Sequence, residues 1–305
     1  MTSRSTPALF AFFVSCISVM GIAAQNTPLD TAKIRAILAV QGAWNEQDSV
    51  YRVSIPKIDV KVTVDGMVMP SFLGMSSWVA FKALTEEHVM MMGDFALFQD
   101  EVNPVMSVAL ASGLEVTALH NHFFYDDPRV FFMHVHGEDS ASKLAVAVRN
   151  LMQKVMDIRV LHVDLHTGFP GPAIPQKSSL DAASLEKVLG VHGESVSGMF
   201  RTSVGRRAKM SCGCEATRDM GLSSWIGFAG TKDSAIVDGD FAAQEFELRN
   251  VLVALRNADI NVLAIHNHMI EETPRFVFVH FWGKGKVAAL ARGIRAALDA
   301  TQNHD

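Results

Sequence analysis

The chain repeats itself, and this internal duplication constrains its fold more than any other feature. The matched segments keep their order and nearly their spacing: GMSSW at 74–78 with GLSSW at 221–225, GDF at 93–95 with GDF at 239–241, and HNH at 120–122 with HNH at 266–268. The period is the length of a domain, whereas solenoid proteins repeat every 20 to 45 residues or so. The sequence therefore predicts a tandem duplication.

A stretch rich in glycine and proline separates the two copies. It reads HTGFPGPAIPQKSS at 166–179, and such residues interrupt regular structure. We predict a first repeat domain at 25–165 (copy one), a linker at 166–179 and a second repeat domain at 180–305 (copy two). With 49% apolar and 19% charged residues, the composition is that of a chain that buries a hydrophobic core.

The N-terminus predicts export. The segment ALFAFFVSCISVMGIAA at 8–24 has no charge, follows Arg4 and ends in small residues, which favours a signal peptide over 1–24. A permanent anchor is the alternative, although about 20 apolar residues are needed to cross a bilayer. We expect a periplasmic or secreted protein with no stable membrane insertion after signal cleavage. The net charge of -5 argues against nucleic acid as a partner.

Hydrophobic periodicity predicts an α+β fold. In copy one we predict a strand from Ile58 to Val64 that enters a hairpin at Asp65-Gly66, and a second strand from Val89 to Phe98. A helix follows that is capped by Asp100, has Pro104 in its first turn and ends near Ser112. Two further strands, Leu114–Phe123 and Val130–Val135, flank a turn at Asp126–Pro128, and a helix through Leu144 comes last. Copy two repeats this order. Each copy is expected to be a mostly antiparallel sheet covered by helices.

Histidines recur on two of the predicted strands. Residues i and i+2 of a strand share a face, so His120 and His122 are expected to point the same way. A three-residue turn centred on Asp127 would place His134 directly opposite His120, with His136 two residues further on the same face. The candidate ligands are three histidines in each copy: His120, His122, His134, His266, His268 and His280. In copy two Trp282 stands where copy one has His136.

Three imidazoles on one face are suitable ligands for zinc or copper, with a carboxylate or water in a fourth position. The alternative is a structural cluster in which the histidines hydrogen-bond one another.

Paired carboxylates offer further candidates. Glu101 and Glu247 precede the two HNH motifs by the same distance and would serve as a metal ligand or a general base. An acidic residue in the first turn of a helix is equally explained by the helix dipole. Asp94 and Asp240 follow glycine near a strand end and would either orient a histidine or form a turn.

Two more pairs leave alternatives open. Arg129 and Arg275, each beside a proline, would hold an anionic ligand or form surface salt bridges. Cys212 and Cys214 would form a local disulfide, bind a soft metal or remain two thiols.

Several of these motifs together carry a family resemblance. Residues 93–137 and 239–285, which include Gly93-Asp94, TALHNH at 117–122 and Pro128-Arg129, resemble the two copies of the domain of unknown function that defines the LppY/LpqO family of exported bacterial proteins. The resemblance implies export and no established reaction. The residues before Cys16 do not form the lipobox of the lipoprotein members.

The function that the sequence favours is binding of a transition metal, zinc or copper, by the duplicated histidines. One alternative is a metal-dependent hydrolase or lyase that uses a three-histidine site with Glu101 or Glu247 as the general base. The other is a metal-free module of the cell envelope that binds a small molecule in the same cleft.

Overall fold

The computed structural model describes residues 1, 29–57, 60–69, 75–85, 87–161, 168–169 and 172–301. The helices in these ranges are α1 (Thr31–Leu38), α2 (Gln99–Ala111), α3 (Ala141–Leu161), α4 (Ala182–Leu189), α5 (Leu248–Asn257) and α6 (Val287–Asp299). The strands are β1 (Gly42–Asn45), β2 (Val50–Pro56), β3 (Thr63–Val64), β4 (Met67–Val68), β5 (Ser76–Ala83), β6 (Val89–Phe98), β7 (Glu115–His120), β8 (Asp126–Asp127), β9 (Val130–Asp139), β10 (Glu194–Val196), β11 (Met199–Gly205), β12 (Ala208–Lys209), β13 (Glu215–Ala216), β14 (Ser223–Gly230), β15 (Ala235–Gln244), β16 (Asn261–His266) and β17 (Phe276–Gly285). None of the described helices has the length and apolar character needed to cross a membrane.

The two copies build the two halves of one sheet, called here the main sheet. From edge to centre, copy one contributes β1-β2-β5-β6-β9-β7 and copy two contributes β10-β11-β14-β15-β17-β16. The strand order is the same in both halves and every pair is antiparallel, which confirms the duplicated α+β fold. The halves join through β7 and β16, where Leu119 pairs with Ile265. Each copy was predicted to form a sheet, and at this junction the strands β7 and β16 satisfy each other's free backbone groups.

The helices pack on one face of the main sheet. Met133 and Val135 of β9 belong to the hydrophobic core beneath them, as do Val279 and Phe281 of β17. Asn103 of α2 links the halves, because its side chain accepts a hydrogen bond from the Val262 N–H at 2.7 Å and donates to the Val262 carbonyl at 3.1 Å. One continuous core therefore lies under both copies.

The opposite face carries the histidines, and we call it the histidine face. His134 alternates with Met133 and Val135 and so points away from the helices, as does His280 between Val279 and Phe281. Each copy has a small second core on this face. The members of these second cores are Val62, Met75, Ala96, Phe98, Val130 and Phe132 in copy one, and Ala208, Ala216, Leu222, Ala242, Phe276 and Phe278 in copy two.

Short hairpins contribute to these second cores. The predicted turn at Asp65-Gly66 is present between β3 and β4, but the strand before it is only Thr63–Val64. Ile58 and Asp59, which begin the predicted strand, lie outside the described residues. In copy two, β12 and β13 form the corresponding hairpin. The predicted signal segment, apart from Met1, and residues 166–167 and 170–171 of the predicted linker also lie outside the described ranges.

Helix α2 begins earlier than predicted. Its N-cap is Phe98, so Asp100 lies inside the helix and Pro104 lies beyond the first turn. The reason is a hydrogen bond from the Phe98 N–H to the carboxylate of Glu101, at 2.8 Å, which caps the helix from its third residue.

Candidate metal centre

The histidine-bearing strands end sooner than expected. Strand β7 ends at His120 and β16 at His266, so His122 and His268 lie just beyond the strands on which they were predicted. In copy one the chain leaves the sheet because Asn121 donates a side-chain hydrogen bond to the Val130 carbonyl at 2.8 Å. This bond occupies the Val130 carbonyl, which lies next to the place where β7 would have continued.

The strand register also differs from the prediction. His120 lies opposite Phe132, and His134 lies opposite Ala118, so the two histidines are diagonal neighbours. Copy two repeats this register, with His266 opposite Phe278 and His280 opposite Ala264. The predicted three-residue turn is absent because Asp126 and Asp127 form β8, which pairs with β3.

Copy two brings three metal-ligand side chains together. Within the described residues, one group of histidine, cysteine or acidic side chains has three donor atoms that all lie within 4.8 Å of one another: Asp240, His266 and His268. The two histidine Nε2 atoms are 3.1 Å apart. The Oδ2 atom of Asp240 lies 3.4 Å from His266 Nε2 and 3.2 Å from His268 Nε2. We call this group the Asp-His-His site.

Two neighbours orient His268. Its Nδ1 lies 3.2 Å from the carbonyl oxygen of Gly221, which only accepts, so Nδ1 carries the hydrogen, and in the neutral imidazole Nε2 presents a lone pair to the site. Its ring stacks on Phe278 at 3.5 Å between centroids. A backbone carbonyl behind the liganding nitrogen is the usual support of a metal-binding imidazole.

The carboxylate and the two imidazoles of the site differ in their exposure to solvent. The Asp240 side chain is 5% exposed and its Oδ1 atom is buried without a hydrogen-bond partner, whereas the imidazoles of His266 and His268 are about one-third exposed. A buried carboxylate facing two imidazoles needs a proton or a cation between them to be satisfied. The arrangement can accept a cation from the solvent side.

Copy one arranges its equivalent residues differently. His120 and His134 bring their Nε2 atoms to 3.0 Å, while His134 Nε2 is 3.9 Å from Asp94 Oδ1. His122 stacks on Phe132 at 3.4 Å and on His120 at 5.1 Å between centroids.

Burial changes the pKa of two side chains in this copy-one cluster. It raises the pKa of Asp94 despite the opposing charges of His134, His122, His120 and Arg52. Burial also lowers the pKa of His122, and the neighbouring His120 lowers it further.

His280 is not brought to the Asp-His-His site. Its Nε2 lies 3.2 Å from Oδ1 of Asp238, and its ring lies 5.9 Å from that of Trp225. Copy one has Met92 at the position of Asp238, and there the equivalent His134 contacts His120 instead. The histidine at this position thus has a different partner in each copy.

His136 lies in a separate polar group on β9. Its Nδ1 is 3.0 Å from Glu115, and its Nε2 is 3.8 Å from Glu138, which also lies 3.3 Å from His88.

The two candidate glutamates hold buried ion pairs. Glu101 is fully buried, with Lys57 at 2.9 Å and Arg159 at 2.7 Å. Burial raises the pKa of Glu101, while these cations and the Phe98 N–H lower it.

Glu247 repeats this role in copy two. It is nearly fully buried, accepts hydrogen bonds from Arg206 at 3.1 Å and accepts one from the Gln244 N–H at 2.8 Å. Both glutamates are thus engaged in buried ion pairs at the junction between strand and helix, and their role as general bases stays a prediction.

The remaining candidates lie at the surface. Arg129 is exposed, and exposed Arg275 lies 3.6 Å from Glu272 and 3.9 Å from Glu245, which favours the salt-bridge alternative for Arg275. Cys212 and Cys214 form a disulfide, which settles the three alternatives left open for this pair.

The contacts of Asp238 and Gly221 with histidines were not predicted, whereas Asp240 was a candidate partner that would orient a histidine. The sequence signal for Asp240 was its repeated place after glycine. The difference between Asp238 and Met92 was readable only by comparing the copies.

A family model gives the chain its place among known proteins. The model described as Domain of Unknown Function (DUF1259) matches residues 32–154 and 183–300. The chain belongs to the DUF1259 family. Its two matched regions correspond to the two halves of the main sheet, so this DUF1259 protein carries the domain in tandem. No curated protein and no solved structure matched it significantly.

Proposed function

We propose that this DUF1259 protein binds a transition-metal ion, zinc first, at the Asp-His-His site of copy two. The observation that carries the proposal is the triangle of donor atoms, whose sides measure 3.1, 3.2 and 3.4 Å. A tetrahedral zinc ion with bonds of about 2.0–2.1 Å separates neighbouring donors by about 3.3 Å. The spacing of the three donor atoms therefore suits a tetrahedral ion.

The donor set narrows the choice of metal. Two imidazoles and one carboxylate suit zinc and also copper, whereas calcium and magnesium prefer sites made entirely of oxygen. Three protein ligands leave a fourth position for water or another small molecule. The exposed edges of His266 and His268 provide the route of entry.

Export remains part of the proposal. The apolar segment at 8–24 favours a signal peptide, and the disulfide between Cys212 and Cys214 is of the kind that forms in oxidising compartments. Both observations support a periplasmic or secreted protein and an assignment to the LppY/LpqO group of exported proteins.

Metal analysis of matched variants tests the site, because each copy serves as the control for the other. We expect wild-type protein equilibrated with zinc and then desalted to retain about one zinc per chain. His268→Ala and Asp240→Asn should lose it, whereas the copy-one counterparts His122→Ala and Asp94→Asn should keep it. Chelation should lower the wild-type melting temperature and leave that of His268→Ala unchanged, since metal stabilises only the folded state that binds it.

Two results would contradict the proposal. One is equal zinc retention by wild type and the copy-two variants. The other is a wild-type melting temperature that does not respond to chelator, which would leave a hydrogen-bonded histidine cluster or a metal-free ligand-binding module. If copper rather than zinc is found at these residues, the identity of the ion in the proposal changes and the assignment of the ligands stands.

A hydrolase is the second candidate, and the pair Asp238–His280 favours it. His280 lies directly across from Asp240 on the histidine face and is held by Asp238 at 3.2 Å. An imidazole oriented by a carboxylate is the usual base that accepts a proton from attacking water. Zinc-dependent hydrolysis of an activated ester that is lost in both His268→Ala and His280→Ala would support an enzyme. Activity that survives both changes would exclude this site as its source.

A further inference from the structure

The disulfide lies at the tip of an exposed hairpin. Residues 208–216, called here the disulfide hairpin, consist of β12, a turn and β13, and residues 211–215 are exposed. Gly213, between the two cysteines, has φ +83°, a conformation that glycine adopts without strain. Both sulfur atoms therefore belong to a part of the surface that a second molecule can approach.

The disulfide is poorly placed to stabilise the fold. A disulfide stabilises a protein mainly by closing a loop of the unfolded chain, and the stabilisation grows with the length of that loop. Cys212 and Cys214 are separated by two positions, so the loop that they close is very short. The hairpin has its own bonds: Met210 N–H donates to the Cys214 carbonyl at 2.9 Å, and Gly213 N–H donates to the Met210 carbonyl at 2.8 Å. Ala208 and Ala216 anchor it in the second core of copy two.

Copy one provides an internal comparison. Its hairpin, β3–β4, occupies the corresponding place and turns at Asp65-Gly66 without cysteines. The fold thus builds this hairpin with or without a disulfide. A cysteine pair that the architecture does not require, and that is exposed, is of the kind that exchanges with other thiols.

We propose that the Cys212–Cys214 disulfide oxidises external dithiols by thiol–disulfide exchange, independently of the metal site. A substrate thiolate attacks one sulfur, the Cys212–Cys214 bond breaks, and a mixed disulfide forms while the other cysteine leaves as a thiolate. The second substrate thiol loses its proton and attacks the substrate sulfur of the mixed disulfide. The substrate leaves as a disulfide, and two electrons and two protons have passed to Cys212 and Cys214.

Reduced glutathione is the probe for this reaction, two molecules supplying the two thiols. The experiment uses the full chain with the substitution Cys16→Ser, so that Cys212 and Cys214 are the only cysteines left of the three in the sequence. We expect the pair to pass from oxidised to reduced as the ratio of reduced to oxidised glutathione rises, with one glutathione disulfide formed per chain. Alkylation and mass measurement give the reduced fraction, and the double variant Cys212→Ser, Cys214→Ser should form none.

The melting temperature separates exchange from a structural role. We expect reduction to shift the melting temperature by less than about 2 °C, which corresponds to a stability change below about 1 kcal/mol. A pair that stays oxidised in a hundredfold excess of reduced glutathione would overturn the proposal. So would a drop of several degrees on reduction, matched by the double serine variant, because the disulfide would then be a structural link.

Discussion

His268 donates its Nδ1 hydrogen to the carbonyl oxygen of Gly221, 3.2 Å away, and this bond directs its Nε2 toward Asp240. Gly221 has φ +89° and ends the 3-10 turn Arg218–Met220. Gly221, which closes this turn, thus sets the direction of His268, a candidate metal ligand far from it in the sequence.

The first prediction concerns this bond. Gly221→Ala should shift the carbonyl, because a side chain is strained at φ +89° and its Cβ would lie 4.0 Å from His268 Nδ1. Loss of a partner that orients a ligand weakens metal binding by about 10- to 100-fold. Gly66→Ala is the control, with φ +80° and open space around its Cβ. Zinc titration should separate the two variants, although both lose about 1–2 kcal/mol of stability. Equal zinc affinities would show that the carbonyl does not orient His268.

The second prediction separates His280 from the ligands. His280→Ala should keep one zinc per chain, because its Nε2 is engaged by Asp238 and not by the Asp-His-His site. His266→Ala should lose the zinc. Elemental analysis of the two purified variants makes the comparison, and loss of zinc from His280→Ala would restore the three-histidine site expected from the sequence.

The third prediction concerns the buried glutamates. Glu101→Gln should cost about 3–5 kcal/mol, because it leaves the buried Lys57 and Arg159 without their full counter-charge. Urea unfolding measures this cost. Glu138→Gln, at a half-exposed ion pair, should cost less than about 1 kcal/mol. Zinc retention by Glu101→Gln is expected to match wild type, and a selective loss of zinc in a stable variant would point back to a role at the metal.

The fourth prediction is a pH dependence. Burial lowers the pKa of His122 below its ordinary value of 6.5, so on acidification the unfolded chain takes up a proton before the folded chain does. Its contribution to stability is present above about pH 6.5 and is lost as the pH falls from there through the folded-state pKa. Metal-free protein unfolded in urea between about pH 5 and 8 should show this slope, and His122→Gln should reduce it. An unchanged slope in the variant would assign the dependence to other groups.

Local patterns in the sequence predicted much of each copy. The largely apolar run at 89–98 and the run after Asp126-Asp127-Pro128 correspond to β6 and β9, and the helical period at Leu144 lies in α3. These elements follow from the local pattern of apolar residues and turn signals. The ends of β7 and β16 were predicted too long, because Asn121 contacts the backbone of another strand at that point.

The duplication, the α+β class and the gathering of histidines on one face could be inferred from the amino-acid sequence, since repeats and alternation are visible in the order of the residues. The association of Asp240 with His266 and His268, and of His280 with Asp238, became visible only in the folded protein. The same holds for the pairing of β7 with β16, which joins the copies in one sheet. These partners depend on strand register and on packing between distant segments. A shift of one diagonal step in the register changes which side chains meet, and alternation along a single strand carries no record of that step.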